Sequence, residues 1–202
     1  MFEKALARGA KRYDQPLVVR LPAVLKTQAF DGDRPLAAPV ERRLDAVTLR
    51  HKVSQELKTC TNKLVISLED DAPATGPRAT FLIDIMNPCW VWPQADLTGV
   101  VSLSAQVGQV PFNFQIGADR AKIALRPPQT PEGELEVRLD TCDGERIAAI
   151  PLASAAGSQA VSTITGAMAG HVGRHDLCLT FTGKGIDPMW AIDQLQLNPV
   201  GA

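Results

Sequence analysis

Three tryptophans are the residues of this chain that are best suited to ligand binding. Trp90 and Trp92 lie in the run NPCWVWP, and Trp190 lies in DPMW, so prolines mark each run as a turn or a strand end. Indole stacks on the C–H face of a sugar ring because both surfaces are flat and apolar. The pattern predicts that these tryptophans bind a sugar. The alternative is that they pack into a core or against a neighbouring domain.

Two asparagines are the nearest polar companions for such a site. Asn87 precedes Trp90 in the same run, and Asn113 lies in PFNFQIG. On a strand, Asn113 faces away from the phenylalanines on either side of it. Asn113 is therefore a candidate sugar contact, and the alternative is an ordinary solvated strand residue.

Two groups of ionisable residues suggest catalysis, and neither has the required geometry. Glu69, Asp70 and Asp71 are consecutive, whereas glycoside hydrolysis needs two carboxylates held about 5 Å or about 6.5–9.5 Å apart. Neighbouring residues at a strand end point to opposite sides, and a solvated turn is the simpler interpretation. His175 and Asp176 are also neighbours, so they cannot act in series as in a serine hydrolase. The chain alone is predicted not to be an enzyme.

Charge and composition exclude several other functions. The chain has 21 basic and 22 acidic residues, for a net charge of −1, and no basic patch that nucleic acid would need. No apolar run has the roughly 18–20 residues that cross a bilayer. The N-terminal stretch is charged throughout and lacks the apolar segment of a signal peptide.

The four cysteines, at positions 60, 89, 142 and 178, have no C-x-x-C spacing, which disfavours a zinc site. Two disulfides would have three pairings, and free buried thiols are equally compatible with the sequence.

The elements that position these residues have the pattern of an all-β domain. Residues 133–152 form the clearest unit, as in a β-hairpin. Apolar and charged residues alternate over residues 134–140, Asp143 and Gly144 supply a turn, and an apolar run follows. About ten short strands with turn signals between them predict an antiparallel β-sandwich of the jelly-roll type. Further strands are predicted at residues 63–69, 80–85, 100–107, 112–116, 121–125, 160–165, 175–183 and 190–197.

The first part of the chain lacks this pattern. Residues 2–13 have helical spacing, residues 17–25 form a possible short strand, and residues 27–50 show no lasting period. We therefore predict a helix and an irregular arm or linker over residues 1–62, followed by the sandwich over residues 63–202.

Three late motifs resemble those of family 6 carbohydrate-binding modules. They are ELEVRLD (134–140), GRHDLCLTFTG (173–183) and the Ile192-Asp193 pair, in the family's order. The resemblance implies a galactose-binding-like sandwich that binds glycans. It also implies a structural calcium ion held by Glu69 and Asp193, whose carboxylates suit Ca²⁺.

The chain departs from this family where its members contact sugar. In the run AAGSQAV of this chain, Ser158 and Val161 stand where family members have two tryptophans. Ala191 stands where they have an asparagine. The usual cleft of the family is therefore in doubt.

A second resemblance concerns residues 69–97 together with PFNFQIG and DPMWAID. These runs are similar to the C-terminal domain of bacterial family 20 glycoside hydrolases, the β-N-acetylhexosaminidases. The resemblance implies a non-catalytic accessory domain that binds amino-sugar glycans beside a catalytic barrel, with residues 2–13 as the last barrel helix. It also implies a periplasmic or secreted location. The alternative is a purely structural domain that packs on the barrel and has lost sugar binding.

Overall fold

The computed structural model describes residues 11–71, 73–123 and 125–201. The chain divides into two compact units, Met1–Leu49 and Arg50–Ala202. The predicted helix at residues 2–13 lies mostly outside the described residues, and residues 11–13 are irregular.

The first unit contains two small ladders. Strand β1 overlaps the short strand predicted at residues 17–25, and the other three strands lie in the segment predicted to be irregular. The outer ladder pairs β1 with β4 from Ala23↔Leu44 to Thr27↔Val40, and the inner ladder pairs β2 with β3. Both faces of β4 are largely exposed, so its sequence carries no alternation that would reveal a strand. The strands are β1 (Ala23–Thr27), β2 (Phe30–Asp31), β3 (Arg34–Pro35) and β4 (Val40–Leu44).

The second unit is an antiparallel β-sandwich, which confirms the predicted fold class. One sheet has four strands in the order β13-β10-β15-β5, the other has five in the order β12-β11-β14-β9-β6, and β7 pairs with β8. The strands are β5 (His51–Val53), β6 (Lys58–Thr59), β7 (Val65–Glu69), β8 (Thr80–Asp84), β9 (Cys89–Asp96), β10 (Val100–Val110), β11 (Glu134–Leu139), β12 (Arg146–Pro151), β13 (Ser162–Ala167), β14 (Arg174–Phe181) and β15 (Met189–Pro199). Short 3-10 helices occupy Thr48–Arg50, Ser54–Glu56 and Gly117–Lys122.

The sandwich begins earlier than the sequence indicates. Strand β5 pairs with β15, and β6 pairs with β9, so residues 51–59 belong to the two sheets. The boundary lies at Leu49/Arg50 rather than at residue 62/63. Two strands of three and two residues are too short to show a hydrophobic period.

The hairpin β11–β12 forms as predicted, with a longer connection than Asp143-Gly144 alone. The positive φ of the connection is at Asp140, at 61°. Gly144 is needed for a different reason, because a Cβ there would lie 2.0 Å from the Leu139 carbonyl oxygen.

Two predicted strands are wrong. Residues 111–116 form a loop, and the 3-10 helix Gly117–Lys122 overlaps the predicted strand at 121–125. Residues 89–93 of the run NPCWVWP lie in β9, an internal strand of the five-stranded sheet, and the first two residues of the run form the turn before it. Pro93 is tolerated there because the pairing with β14 shifts register between His175 and Leu177.

Asp84 fixes the segment that enters β7. Its buried carboxylate accepts the Thr61 hydroxyl at 2.5 Å and the backbone N–H groups of Lys63, Leu64 and Met86 at 3.1, 3.1 and 3.2 Å. Burial alone would raise the pKa of Asp84, but these hydrogen bonds outweigh it and hold the pKa below its usual value. Among the described residues, no helix is long and apolar enough to cross a membrane.

Candidate functional site

Trp90 and Trp92 are buried in the core, so the prediction that they stack on a sugar is corrected. They are 0% and 2% exposed. The Trp90 ring contacts Phe181 edge-on at 5.7 Å, and its Nε1–H donates to the Leu82 carbonyl at 2.6 Å. The cause is the alternation of β9, which points both indoles between the two sheets.

Trp190 is the tryptophan that the structure places at a pocket. This pocket, which we call the end pocket, has a volume of about 170 Å³ and lies where β14 ends and β15 begins. That volume is several times the share of one water molecule and smaller than a drug-sized cleft. Its polar lining comes from Gln109, Glu132, Thr182, Lys184 and Asp187, and its apolar lining includes Pro131, Phe181, Ile186, Pro188 and Met189.

The core holds the Trp190 ring in place from one side. The ring stacks on Phe181 with centroids 6.0 Å apart and an interplanar angle of 27°. Trp190 is half-buried and pairs in register with Gln109 of β10, which also lines the end pocket. The buried Phe181 therefore fixes the orientation of a partly exposed indole.

Glu134 fixes the wall that contains Pro131 and Glu132. Its buried carboxylate accepts the Gln129 and Thr130 N–H groups at 3.1 and 2.5 Å and the Thr182 hydroxyl at 2.5 Å. Burial alone would raise the pKa of Glu134, but the hydrogen bonds from Thr182 and Thr130 outweigh it and hold the pKa below its usual value. The carboxylate is therefore ionised at neutral pH and anchors the wall to the sheet.

Asp187 fixes the opposite side. Its carboxylate accepts the Phe112 N–H at 3.0 Å and lies 4.0 Å from the Arg120 guanidinium. Arg120 stacks over the Phe112 ring at 4.7 Å, and Phe112 contacts Phe114 edge-on at 5.2 Å. The loop predicted to be a strand thus supports the end pocket.

The two asparagines lie outside this site. Asn113 is exposed on the loop, beside the buried Phe112, and Asn87 is half-buried in the turn before β9. The end pocket is lined by neither of them. The expectation that Asn113 is a sugar contact stays a prediction, and its side chain has the exposure of the solvated alternative.

The two predicted calcium ligands, Glu69 and Asp193, differ in their surroundings. Asp193 lines a second, shallow depression together with Asp70 and Arg78, and Glu69 does not line it. Glu69 is exposed while Asp70 is buried, because consecutive residues at the end of β7 point to opposite sides. The depression offers the carboxylates of Asp70 and Asp193 beside the positive charge of Arg78, whereas Ca²⁺ takes 6–8 oxygen ligands. Calcium binding stays a prediction.

Of the three departures from the family 6 motif, Val161 lines the same depression, next to Ala160. Ser158 donates to the Ala160 carbonyl at 2.8 Å, and Ala191 is buried in β15. No aromatic side chain lines this depression among the described residues.

His175 is paired with Asp140, as expected for a strand-end residue and not for a catalytic triad. Its Nδ1 lies 3.0 Å from the Asp140 carboxylate, while Asp176 accepts the Gln94 N–H at 2.8 Å.

The four cysteines form two disulfides, Cys60–Cys89 and Cys142–Cys178. The sequence left the pairing open.

The fold is the β-sandwich of family 6 carbohydrate-binding modules. The chain is similar to such a module from Clostridium cellulolyticum, solved with xylose, at 17% identity and a TM-score of 0.50, over 73% of this chain and 95% of that one. It is also similar to a β-1,3-glucan-binding family 6 module from Bacillus halodurans, at 14% identity and a TM-score of 0.50, over 73% and 94% of the two chains.

A third similar structure is a family 43 arabinoxylan arabinofuranohydrolase from Bacillus subtilis, solved with cellotetraose. It is 21% identical with a TM-score of 0.50, and the match covers 86% of this chain and 33% of that one. No protein-family model and no curated protein matches the sequence. At these identities the likeness concerns the fold.

Proposed function

We propose that this chain is a non-catalytic glycan-binding domain and that the end pocket is its binding site. The observation that carries the proposal is the half-buried Trp190, held against Phe181 at a pocket with several polar groups. An indole supplies the stacking surface and the polar groups supply partners for sugar hydroxyls. The family 6 fold supports the same function.

The expected affinity is weak. One stacked sugar ring that buries roughly 100 Å² at about 25 cal/mol/Å² contributes about 2.5 kcal/mol. Because association has its own entropic cost, we expect dissociation constants of about a millimolar or weaker for short oligosaccharides.

We propose further that the ligand is an amino-sugar oligosaccharide and that the chain is the accessory domain of a β-N-acetylhexosaminidase-type hydrolase, beside its catalytic barrel. The support is the resemblance of residues 69–97 and of DPMWAID to the C-terminal domain of family 20 hydrolases. Trp90 and Trp92 serve the core in this proposal and leave Trp190 as the stacking residue.

Titration calorimetry on chitin, xylan, cellulose and β-1,3-glucan oligosaccharides tests both proposals. Binding that Trp190→Ala removes and Trp190→Phe weakens supports the end pocket, and a preference for chitin oligosaccharides supports the hexosaminidase link. Val172→Ala is the control, because Val172 is 75% exposed in the loop before β14, at the strand end opposite the pocket. Folded protein that is silent at millimolar sugar contradicts glycan binding and favours the structural alternative.

The calcium prediction has its own test in the melting temperature. A structural ion near Asp193 requires a lower melting temperature after EGTA treatment and its recovery with Ca²⁺. An unchanged melting temperature rules out a structural calcium ion.

A further inference from the structure

All four cysteine sulfurs of the chain meet at one point on the five-stranded sheet. They come from four separate segments: Cys60 follows β6, Cys89 begins β9, Cys142 lies in the β11–β12 turn and Cys178 lies within β14. The four sulfur atoms all lie within 4.8 Å of one another. Each disulfide requires contact only between its own two sulfurs. Cross-linking does not require the two disulfides to touch each other.

The contacts between the two disulfides have the spacing of a metal–thiolate cluster. The sulfur of Cys142 lies 3.5 Å from that of Cys60 and 3.4 Å from that of Cys89, and the sulfurs of Cys89 and Cys178 are 3.5 Å apart. In tetrahedral Zn(Cys)₄, a Zn–S bond of about 2.3 Å places neighbouring sulfurs about 3.8 Å apart. Breaking both sulfur–sulfur bonds therefore leaves four thiols that need to move by roughly an ångström to surround one ion.

The surroundings suit a closed, structural site. Cys89 and Cys178 are buried and Cys60 and Cys142 are half-buried, on the sheet face opposite the hydrophobic core. A tetrahedral set of four soft thiolates suits Zn²⁺ or iron, and a closed Cys₄ site is typical of structural Zn²⁺. The ligands come from strands and a turn far apart in sequence, which is why the absence of a C-x-x-C motif does not exclude the site.

Two neighbouring groups suit the negative charge of four thiolates. The Arg126 guanidinium donates to the Cys142 carbonyl and to the Asp143 carboxylate. The Thr180 hydroxyl is buried and has no hydrogen-bond partner among the described residues. Thr180 lies two residues from Cys178 on the same face of β14 and pairs directly with Cys89, so its hydroxyl can donate to a thiolate.

We propose that the reduced chain binds one Zn²⁺ through Cys60, Cys89, Cys142 and Cys178, and that the two disulfides are the oxidised, metal-free form of the same site. A dithiol reductant supplies two electrons and two protons to each disulfide and becomes a disulfide itself. Zn²⁺ then replaces the protons of the four thiols, which pass to solvent. In the reverse direction, two molecules of a disulfide oxidant take up four electrons from the thiolates and four protons from solvent, both protein disulfides form and Zn²⁺ leaves.

The test uses the full chain produced in a reducing host and purified without chelator. We expect about one zinc per chain by elemental analysis, thiols that react with Ellman's reagent only after chelation, and the strong visible absorption of tetrahedral thiolate-bound Co²⁺ after exchange. Oxidised glutathione should release the zinc and leave no free thiol on the chain, while two molecules of it are reduced to four molecules of glutathione.

Cys142→Ser is the informative variant because Cys142 lies in a turn, and Asp143→Asn is its matched control. Asp143 is exposed and adjacent, and the proposal gives it no ligand role. The first should lose the Co²⁺ spectrum and the second should retain it. Three outcomes would overturn the proposal. They are a reduced, folded chain without zinc, a chain that holds iron instead, and a reduced chain that zinc cannot refold. A Co²⁺ spectrum that survives in Cys142→Ser would also overturn it.

Discussion

The Thr182 hydroxyl donates to the buried Glu134 carboxylate at 2.5 Å, and the same two residues also pair through their backbones. The Thr182 N–H donates to the Glu134 carbonyl at 2.9 Å, and the Glu134 N–H donates to the Thr182 hydroxyl oxygen at 2.8 Å. This connection joins the start of β11 to the end of β14 at the end pocket. It gives the pocket wall the rigidity of the sheet.

Glu134→Gln should destabilise the sandwich by about 1–3 kcal/mol, because an amide NH₂ would then face donors and leave one of them unsatisfied. Urea unfolding at neutral pH measures the change. Glu132→Gln is the control, since Glu132 is an exposed neighbour. Equal stability of the Glu134 variant and the wild type would contradict the anchoring role.

The contribution of Glu134 should also depend on pH. Because its pKa is lower in the folded chain than in the unfolded chain, its stabilisation is complete above the unfolded-state pKa of about 4.3 and is lost as the pH falls through the folded-state pKa. The difference between wild type and Glu134→Gln should therefore shrink below about pH 4. A constant difference from neutral pH to about pH 3 would exclude this linkage.

Asp84→Asn should lower the free energy of unfolding by up to about 3 kcal/mol. The hydroxyl and three backbone N–H groups that donate to this carboxylate would lose a charged acceptor. Thermal unfolding measures the effect. Asp71→Asn, at an exposed site in the next turn, is the comparison and should be near neutral.

Trp90→Phe should reduce stability without changing sugar binding. The smaller ring leaves a cavity and removes the donor to the Leu82 carbonyl, and together these should cost about 2–4 kcal/mol. Calorimetry with the best glycan provides the second readout. A lost sugar response in a folded Trp90→Phe protein would show that the core indole takes part in binding.

Gly108→Ala should cost about 1–3 kcal/mol, because the new Cβ would lie 2.6 Å from the Cζ of the buried Phe81. The cost should fall in a Phe81→Leu background, where the conflicting ring is gone, and a double-mutant cycle measures that coupling. Gly170→Ala, where a Cβ meets nothing within 4 Å, is the control.

The sequence was sufficient for the sandwich and for most of its strands, because alternation is visible wherever one face is buried. The hairpin at β11–β12 and the long strand β15 are examples. The two prolines of NPCWVWP suggested a turn or a strand end at the tryptophans, whereas β9 begins at Cys89 and a register shift lets it continue through Pro93. Local turn signals do not reveal such tertiary compensation.

The site was predicted in part. The structure places Trp190 at the end pocket, and its role in sugar binding stays a prediction. Trp90 and Trp92 are core residues, which alternation along β9 could have shown. The role of Glu134 had no local signal, because its partner Thr182 is 48 residues away. The cysteine cluster likewise joins segments that only the sheet order brings together, so spacing rules for metal sites could not find it.

The short strands β5 and β6 have a consequence for how the domain can be shortened. They cover the outer edges of β15 and β9, and both belong to residues 50–59. A chain cut at residue 63 would expose these long strands as open edges, the surfaces through which sheets of different molecules join. Such a chain should aggregate, whereas one that begins at Arg50 should stay monodisperse in size-exclusion chromatography.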